Sequence, residues 1–188
     1  IMEMGKSPVN VKFEVPLYVT MAAKSGDPEM ATPDGYDISN AAAPGADSYD
    51  IGVTSMKIQA LGDWAIVDTG TPLDLPTQMK FSIGGCDIPA VTKTDGVKEV
   101  PLSGDFVNSD KPKAIAPGKS LSGKPEGLAL KGEIKAQNRT DKKAAAQFKI
   151  TYTVAALSGT GEALGSVYVG DDKTAAGFST PSNPYYRV

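Results

Sequence analysis

The sequence predicts an all-β chain: an antiparallel β-sandwich, jelly-roll or Ig-like, of about nine strands. Three observations carry this. Apolar residues recur at every second position over many short stretches. Clusters of Gly, Pro, Asp and Ser separate those stretches at short spacing. No segment shows the apolar period of a three-turn amphipathic helix. Short strands without intervening helices pair antiparallel and pack as layers. The 188 residues suffice for one well-buried core, and neither half holds enough strands to close a core comfortably, so 1–188 reads as a single domain.

The first strand is expected in "VNVKFEV", where Val9, Val11, Phe13 and Val15 alternate with Asn10, Lys12 and Glu14. Pro16 follows, and "LYVTM" resumes strand character. Proline cannot donate to a ladder, so this point reads as a bulge, an edge or a switch between sheets. Further strands are expected over 49–61, 64–68, 78–84, 97–102, 128–137, 146–157 and 163–170. The segments "KSGDPEMATPDG", "AAAPGADS" and "SGTGE" are loops by composition. The long stretch 103–127 reads as a surface excursion or a soft boundary. "RTDKKAAAQF" (139–148) contains helix formers but runs directly into an alternating strand, so it reads as a connection.

Composition excludes several chemistries. Nineteen basic against 22 acidic residues, a net charge of −3, argue against nucleic acid or an anionic membrane as partner. Arginine occurs only at Arg139 and Arg187, so bidentate phosphate or carboxylate clamps are scarce. Histidine is absent, which removes Ser-His and Cys-His machinery and any His-ligated zinc site. Cys86 is alone, so no internal disulfide and no CxxC motif exists, and the redox compartment stays open. No run of about 18 apolar residues is present, so no membrane insertion by a helix is expected. The sequence starts at Ile1 without a visible signal peptide, which fits removal of an export segment or a boundary set for another reason.

"WAIVDTGTPL" (64–73) raises the one catalytic question. Its Asp68-Thr69-Gly70 resembles the loop of pepsin-like aspartic proteases, where two aspartates share a proton and activate water. "FSIGGCDIP" loosely resembles a strand segment of the same enzymes. A two-lobed protease needs a second Asp-Thr/Ser-Gly, which this chain lacks, and the chain is short for one. A retroviral-type protease is smaller and carries a Gly-Arg pair that is absent here, and Pro72 follows Thr71 where Ser or Ala is usual. The alternative is structural. Leu61, Trp64 and Ile66 are expected core positions on one strand, and Asp68–Pro72 the turn that ends it, with Asp68 bonding its own following backbone.

"VKFEVPLYVTMAAKSGD", "ATPDGYDISN", "YDIGVTSMKIQALGDWAIVD" and "AAAQFKITYTV" together resemble a group of secreted surface proteins of Gram-positive anaerobes. The similarity spans about residues 9–156. After the "xYxIxN" segment this chain has "AAAPGADS" where the group usually has Asn/Ser pairs. The resemblance implies an extracellular β-sandwich without catalysis or cofactor, used as surface-layer, adhesive or fibre material. No LPxTG-like signal ends the chain, so self-assembly is the expected way to stay at the surface.

Four smaller constellations stand beside this reading. Asp34, Asp37, Asp47 and Asp50, and the pair Asp171-Asp172, lie in loops but lack D-x-D-x-D-G spacing, so solvated turn aspartates are expected rather than a calcium site. "NRT" (138–140) satisfies the glycosylation pattern. A glycan platform would need exposed aromatics, and Trp64 sits where a core residue is expected. Lys–Asn cross-links are chemically open to so lysine-rich a chain, and nothing in the sequence locates one.

The expectation is therefore a non-enzymatic extracellular structural subunit that packs with copies of itself. Val9, Val11, Phe13 and Val15 form its candidate face, docked either in the same subunit or, with 1–15 as a donor strand, in a neighbour. Tyr185 and Tyr186, in an extended tail over 171–188, are the second candidate contact. The alternatives are an adhesin module for a glycan or host protein, and an aspartic protease acting through Asp68.

Overall fold

The computed structural model describes residues 11–16, 19–45, 48–138 and 145–169. Among these residues the chain is all-β, with one 3-10 turn at Gly104–Phe106. In chain order the strands are β1 (Phe13–Glu14), β2 (Ala22–Ala23), β3 (Met30–Ala31), β4 (Ser39–Asn40), β5 (Ile51–Ala60), β6 (Ala65–Ile66) and β7 (Gln78–Ile83). They continue with β8 (Cys86–Asp87), β9 (Val97–Val100), β10 (Val107–Asn108), β11 (Lys111–Pro112), β12 (Leu130–Ile134), β13 (Phe148–Leu157) and β14 (Ala163–Val169). The expected nine strands become fourteen because β3, β4, β8, β10 and β11 are two-residue pairings outside the expected strands.

Two four-stranded sheets dominate. One runs β14-β13-β5-β9 and is antiparallel throughout; the other runs β12-β7-β6, with β8 also on β7. The β6–β7 pairing is parallel, and every other named pairing is antiparallel. The β7–β8 turn explains "IGGC": Gly84 and Gly85 both take positive φ, 55° and 75°, as a two-residue hairpin turn of the favoured twist requires.

Period-two patterning builds the core. Met79, Phe81 and Ile83 of β7 are buried while Gln78, Lys80 and Ser82 are less so; Leu130, Gly132 and Ile134 of β12 are buried between exposed Lys131 and Glu133. These residues join Val53, Met56 and Ile58 of β5 and Tyr152 and Val154 of β13 in one cluster. Fully burying each such aliphatic side chain stabilises the fold by about 1.5–3 kcal/mol.

The stretch 103–127 is not the expected surface excursion. It inserts Phe106, Ile115 and Leu121 into the same cluster, each at most 1% exposed. Leu61 is also corrected: it is 40% exposed rather than core. Strand β5 ends at Ala60, and the N–H groups of Leu61 and Gly62 both donate to the Gln147 carbonyl, which bends the chain away. Trp64 packs half-buried against the core and Ile66 is buried as expected.

The sheet ends differ. On β12, the Ile134 N–H donates to the Pro28 carbonyl at 2.8 Å and Glu133 bridges Glu29, so the β2–β3 region lies along that edge. On β6, Ile66 and Val91 exchange backbone bonds of 2.9 and 3.0 Å. Strand β9 is short, charged at Lys98 and Glu99, and followed by Pro101. Strand β14 ends its sheet with seven residues, none of them charged.

Candidate functional site

The leading segment docks in its own chain over the residues described. Val11, Phe13 and Val15 pack half-buried against the core, while Lys12 and Glu14 are exposed, as the alternation predicts. The backbone tie is slight. Phe13 and Glu14 pair with Asn40 and Ser39, and the Ala41 N–H donates to the Lys12 carbonyl at 2.9 Å. Val9, Tyr185, Tyr186 and the tail 171–188 lie outside the described residues.

The receiving strand is held far more firmly than the segment it receives. Asn40 is 1% exposed, and its Nδ2 donates to the carbonyls of Tyr49 and Ile115 at 2.8 and 2.9 Å. Its Oδ1 accepts from the Ala42 N–H, its N–H donates to the Lys119 carbonyl, and its own carbonyl accepts from Gly118. Both ends of the amide are therefore used, as a buried Asn demands. The seat also gains from the preceding alternation. Tyr36, Ile38 and Asn40 are all buried, and the Ile38 carbonyl accepts from the Leu121 N–H at 2.8 Å. Asp37 clasps the same loop pair from outside, accepting from the N–H groups of Ile38 and Ser122 and from the Ser122 hydroxyl. The "xYxIxN" segment is thus a structural clamp, not a loop.

Behind the seat, the phenols of Tyr36 and Tyr152 bond to each other, and the Phe106 ring stacks on Tyr152 with centroids 6.1 Å apart. Burial first, then the neighbouring Tyr36 and Cys86, push the Tyr152 phenol well above its ordinary range. Burial also raises Tyr36, partly offset by its bond to Tyr152. Cys86 is buried, with its Sγ 3.4 Å from the Pro101 carbonyl. Sequence reasoning missed this polar pair; the tyrosine inside "xYxIxN" was the only available signal.

Asp68 lies beside an open depression of about 410 Å³ lined by Thr69, Asp87, Pro89, Pro101, Leu102 and Ser103 among others. The Asp68 carbonyl accepts from the Thr71 N–H at 2.9 Å, which makes the expected turn. Its carboxylate does something else. Oδ1 accepts from the Ala90 N–H at 2.9 Å, because the chain at 66 runs antiparallel to the chain at 91 and brings Ala90 within reach. Among the described residues no hydrogen bond joins the Asp68 and Asp87 carboxylates, the contact that a shared proton requires. No group of three or more His, Cys, Asp or Glu that could hold a metal occurs among the described residues. Asp47, Asp171, Asp172 and residues 139–140 of the "NRT" triplet lie outside them.

No protein-family model, curated protein or solved structure matches this chain.

Proposed function

We propose that this chain is a non-enzymatic extracellular structural subunit that assembles with copies of itself by exchanging its leading strand. In this reading the two four-stranded sheets are the layers of a β-sandwich of the kind found in secreted surface proteins of Gram-positive anaerobes, and the product is a surface fibre.

One observation carries the proposal: a weakly tied segment lies on a strongly tied seat. Among the described residues the segment contributes a two-residue ladder and three half-buried apolar side chains, while Asn40 binds the seat through four bonds to Tyr49 and to the stretch 115–119. Withdrawing the segment leaves the seat formed, so the same residues of another copy can fill it with identical contacts. An exchange of identical contacts costs little beyond association entropy, and head-to-tail repetition gives a filament where its rotation does not close a ring.

Electron microscopy of the full chain and of a chain lacking residues 1–15 tests this. Fibres from the full chain that vanish on truncation, and vanish again with Phe13→Asp, support leading-strand exchange. Fibres that survive truncation, or no fibres under any condition, overturn it.

A further inference from the structure

We propose that the Asp27–Pro28 peptide bond is a self-cleavage site, at which the Asp27 side chain cuts its own backbone and leaves the piece 1–27 docked on the remainder. The reaction uses other residues than strand exchange and stands or falls apart from it.

The chemistry is an intramolecular acyl transfer with a carboxyl group as nucleophile. The Asp27 carboxyl oxygen attacks the main-chain carbonyl carbon of its own residue and closes a cyclic anhydride. The carboxyl proton passes to the Pro28 nitrogen, and the C–N bond between the two residues breaks. Water then opens the anhydride. The products are a C-terminal Asp27, carrying its α- and side-chain carboxyls, and an N-terminal Pro28 with a free secondary amine. Proline is the favourable leaving side, because its alkylated nitrogen takes a proton more readily than an ordinary peptide nitrogen. Asp27-Pro28 is the one Asp-Pro pair in the chain.

Three features of the fold favour the reaction. The Glu29 N–H donates to Asp27 Oδ1 at 2.9 Å, a bond that spans the Asp27–Pro28 peptide and folds the carboxyl toward it. Both flanks of the bond are fixed to one stretch of chain. The Gly26 N–H donates to the Gln137 carbonyl at 3.0 Å, and the Pro28 carbonyl accepts from the Ile134 N–H at 2.8 Å. Holding the attacking group and both flanks replaces a search over conformers with one arrangement, the source of large rate gains in intramolecular reactions. Finally, Asp27 is half-buried and Pro28 exposed, so water reaches the anhydride. The charged neighbours are Lys24 and Glu29 in the same loop and Glu133 opposite Glu29. Lys80 pairs with Glu133 at 3.7 Å and Lys135 donates to the Asp74 carbonyl, so neither ammonium is directed at Asp27.

The cut falls between β2 and β3. The leading piece stays held by β1 on β4 and β2 on β3, each a two-residue ladder, and by Val11, Phe13, Val15, Val19 and Met21 packed on the core. Cleavage thus turns the leading segment into a separate peptide seated on the body of the fold.

Mass spectrometry of the full chain, held for days at about pH 4 and about pH 7 with circular dichroism confirming the fold at each, tests this. Acid supplies the proton that leaves with the Pro28 nitrogen. Fragments ending at Asp27 and beginning at Pro28 are therefore expected at the lower pH, summing to the intact mass plus one water. The chain unfolded in urea at the same pH should cleave at least about tenfold more slowly, which separates the arrangement in the fold from the ordinary lability of an Asp-Pro bond. Asp27→Ser keeps an oxygen for the Glu29 N–H and should abolish cleavage, and Pro28→Ala keeps the carboxyl and should slow it. No cut at this bond in the folded chain, a rate no higher than in the unfolded chain, or a cut that persists in Asp27→Ser overturns the proposal. None of these outcomes depends on whether fibres form.

Discussion

The phenol oxygens of Tyr36 and Tyr152, 116 positions apart in sequence, meet at 2.9 Å inside the core. Tyr36 leads into the seat of the first strand and Tyr152 lies on β13, so one polar contact ties the small β1–β4 ladder to the larger antiparallel sheet. Buried hydroxyls are costly unless partnered. Removing one alone, by Tyr36→Phe or Tyr152→Phe, should destabilise by about 1–3 kcal/mol because the other loses its partner. The double substitution should cost less than the sum, and urea unfolding of the four proteins gives the coupling.

The same pair sets an alkaline limit. Both folded phenols titrate above their ordinary value, which in an unfolded chain is about 10. Below that pH both states keep their protons and stability is unaffected. Above it the unfolded chain releases protons first, so unfolding is favoured increasingly as pH rises. Urea midpoints should fall from about pH 10 upward, and the slope should be shallower in Tyr36→Phe/Tyr152→Phe.

Asn40→Ala should cost about 2 kcal/mol, since it strands the carbonyl of Tyr49 and the N–H of Ala42 and removes one of the two bonds to the Ile115 carbonyl, which still accepts from the Ile51 N–H. Asn40→Asp should be worse near neutral pH, because a carboxylate oxygen then faces two carbonyl oxygens. Thermal unfolding orders the three proteins; an Asp variant more stable than the Ala variant would contradict the bonding scheme.

Ser109 is the described non-glycine residue with positive φ, 58°, in the two-residue turn between β10 and β11. Glycine adopts that conformation without a side-chain clash. Ser109→Gly should raise stability by about 0.5–1 kcal/mol, read as a higher urea midpoint at unchanged slope.

Gly127 and Gly118 both take positive φ but differ in their surroundings. A Cβ at Gly127 would lie 2.5 Å from the Tyr36 carbonyl oxygen, whereas one at Gly118 meets nothing. Gly118→Ala should cost about 1 kcal/mol from backbone strain, and Gly127→Ala several times that, since it forces apart the contact that positions Tyr36. Parallel denaturation curves separate the two.

Strands with one buried face were legible. Period-two runs place β5, β7, β9, β12, β13 and β14 within a few residues, because each alternates core and surface along enough positions to show a period. Pairings of two residues have no period to read. Strand β4 exists because distant chain arrives beside it, as Lys119 does at Asn40, and β10 because the tight turn at 109–110 folds β11 back onto it. Ile115 and Leu121 look like stray apolar residues among Gly, Pro and Lys, and only tertiary partners decide that they are interior. Within the candidate site, the alternation of Val11, Phe13 and Val15 was readable. The grip of Asn40 was not, since an amide in a polar loop declares nothing until its carbonyl partners are in place.

The contrast between the short first ladder and the β5–β13 pairing, nine residue pairs with one register shift between Thr153 and Val154, bears on mechanical load. In the proposed surface subunit, tension applied at the N-terminal side reaches the Phe13–Asn40 ladder before the other described pairings, and that ladder can peel one bond at a time. The long pairing behind it is reached only afterwards. Such a chain yields at its outermost strand like a sacrificial link, lengthening under stress while its interior stays shut.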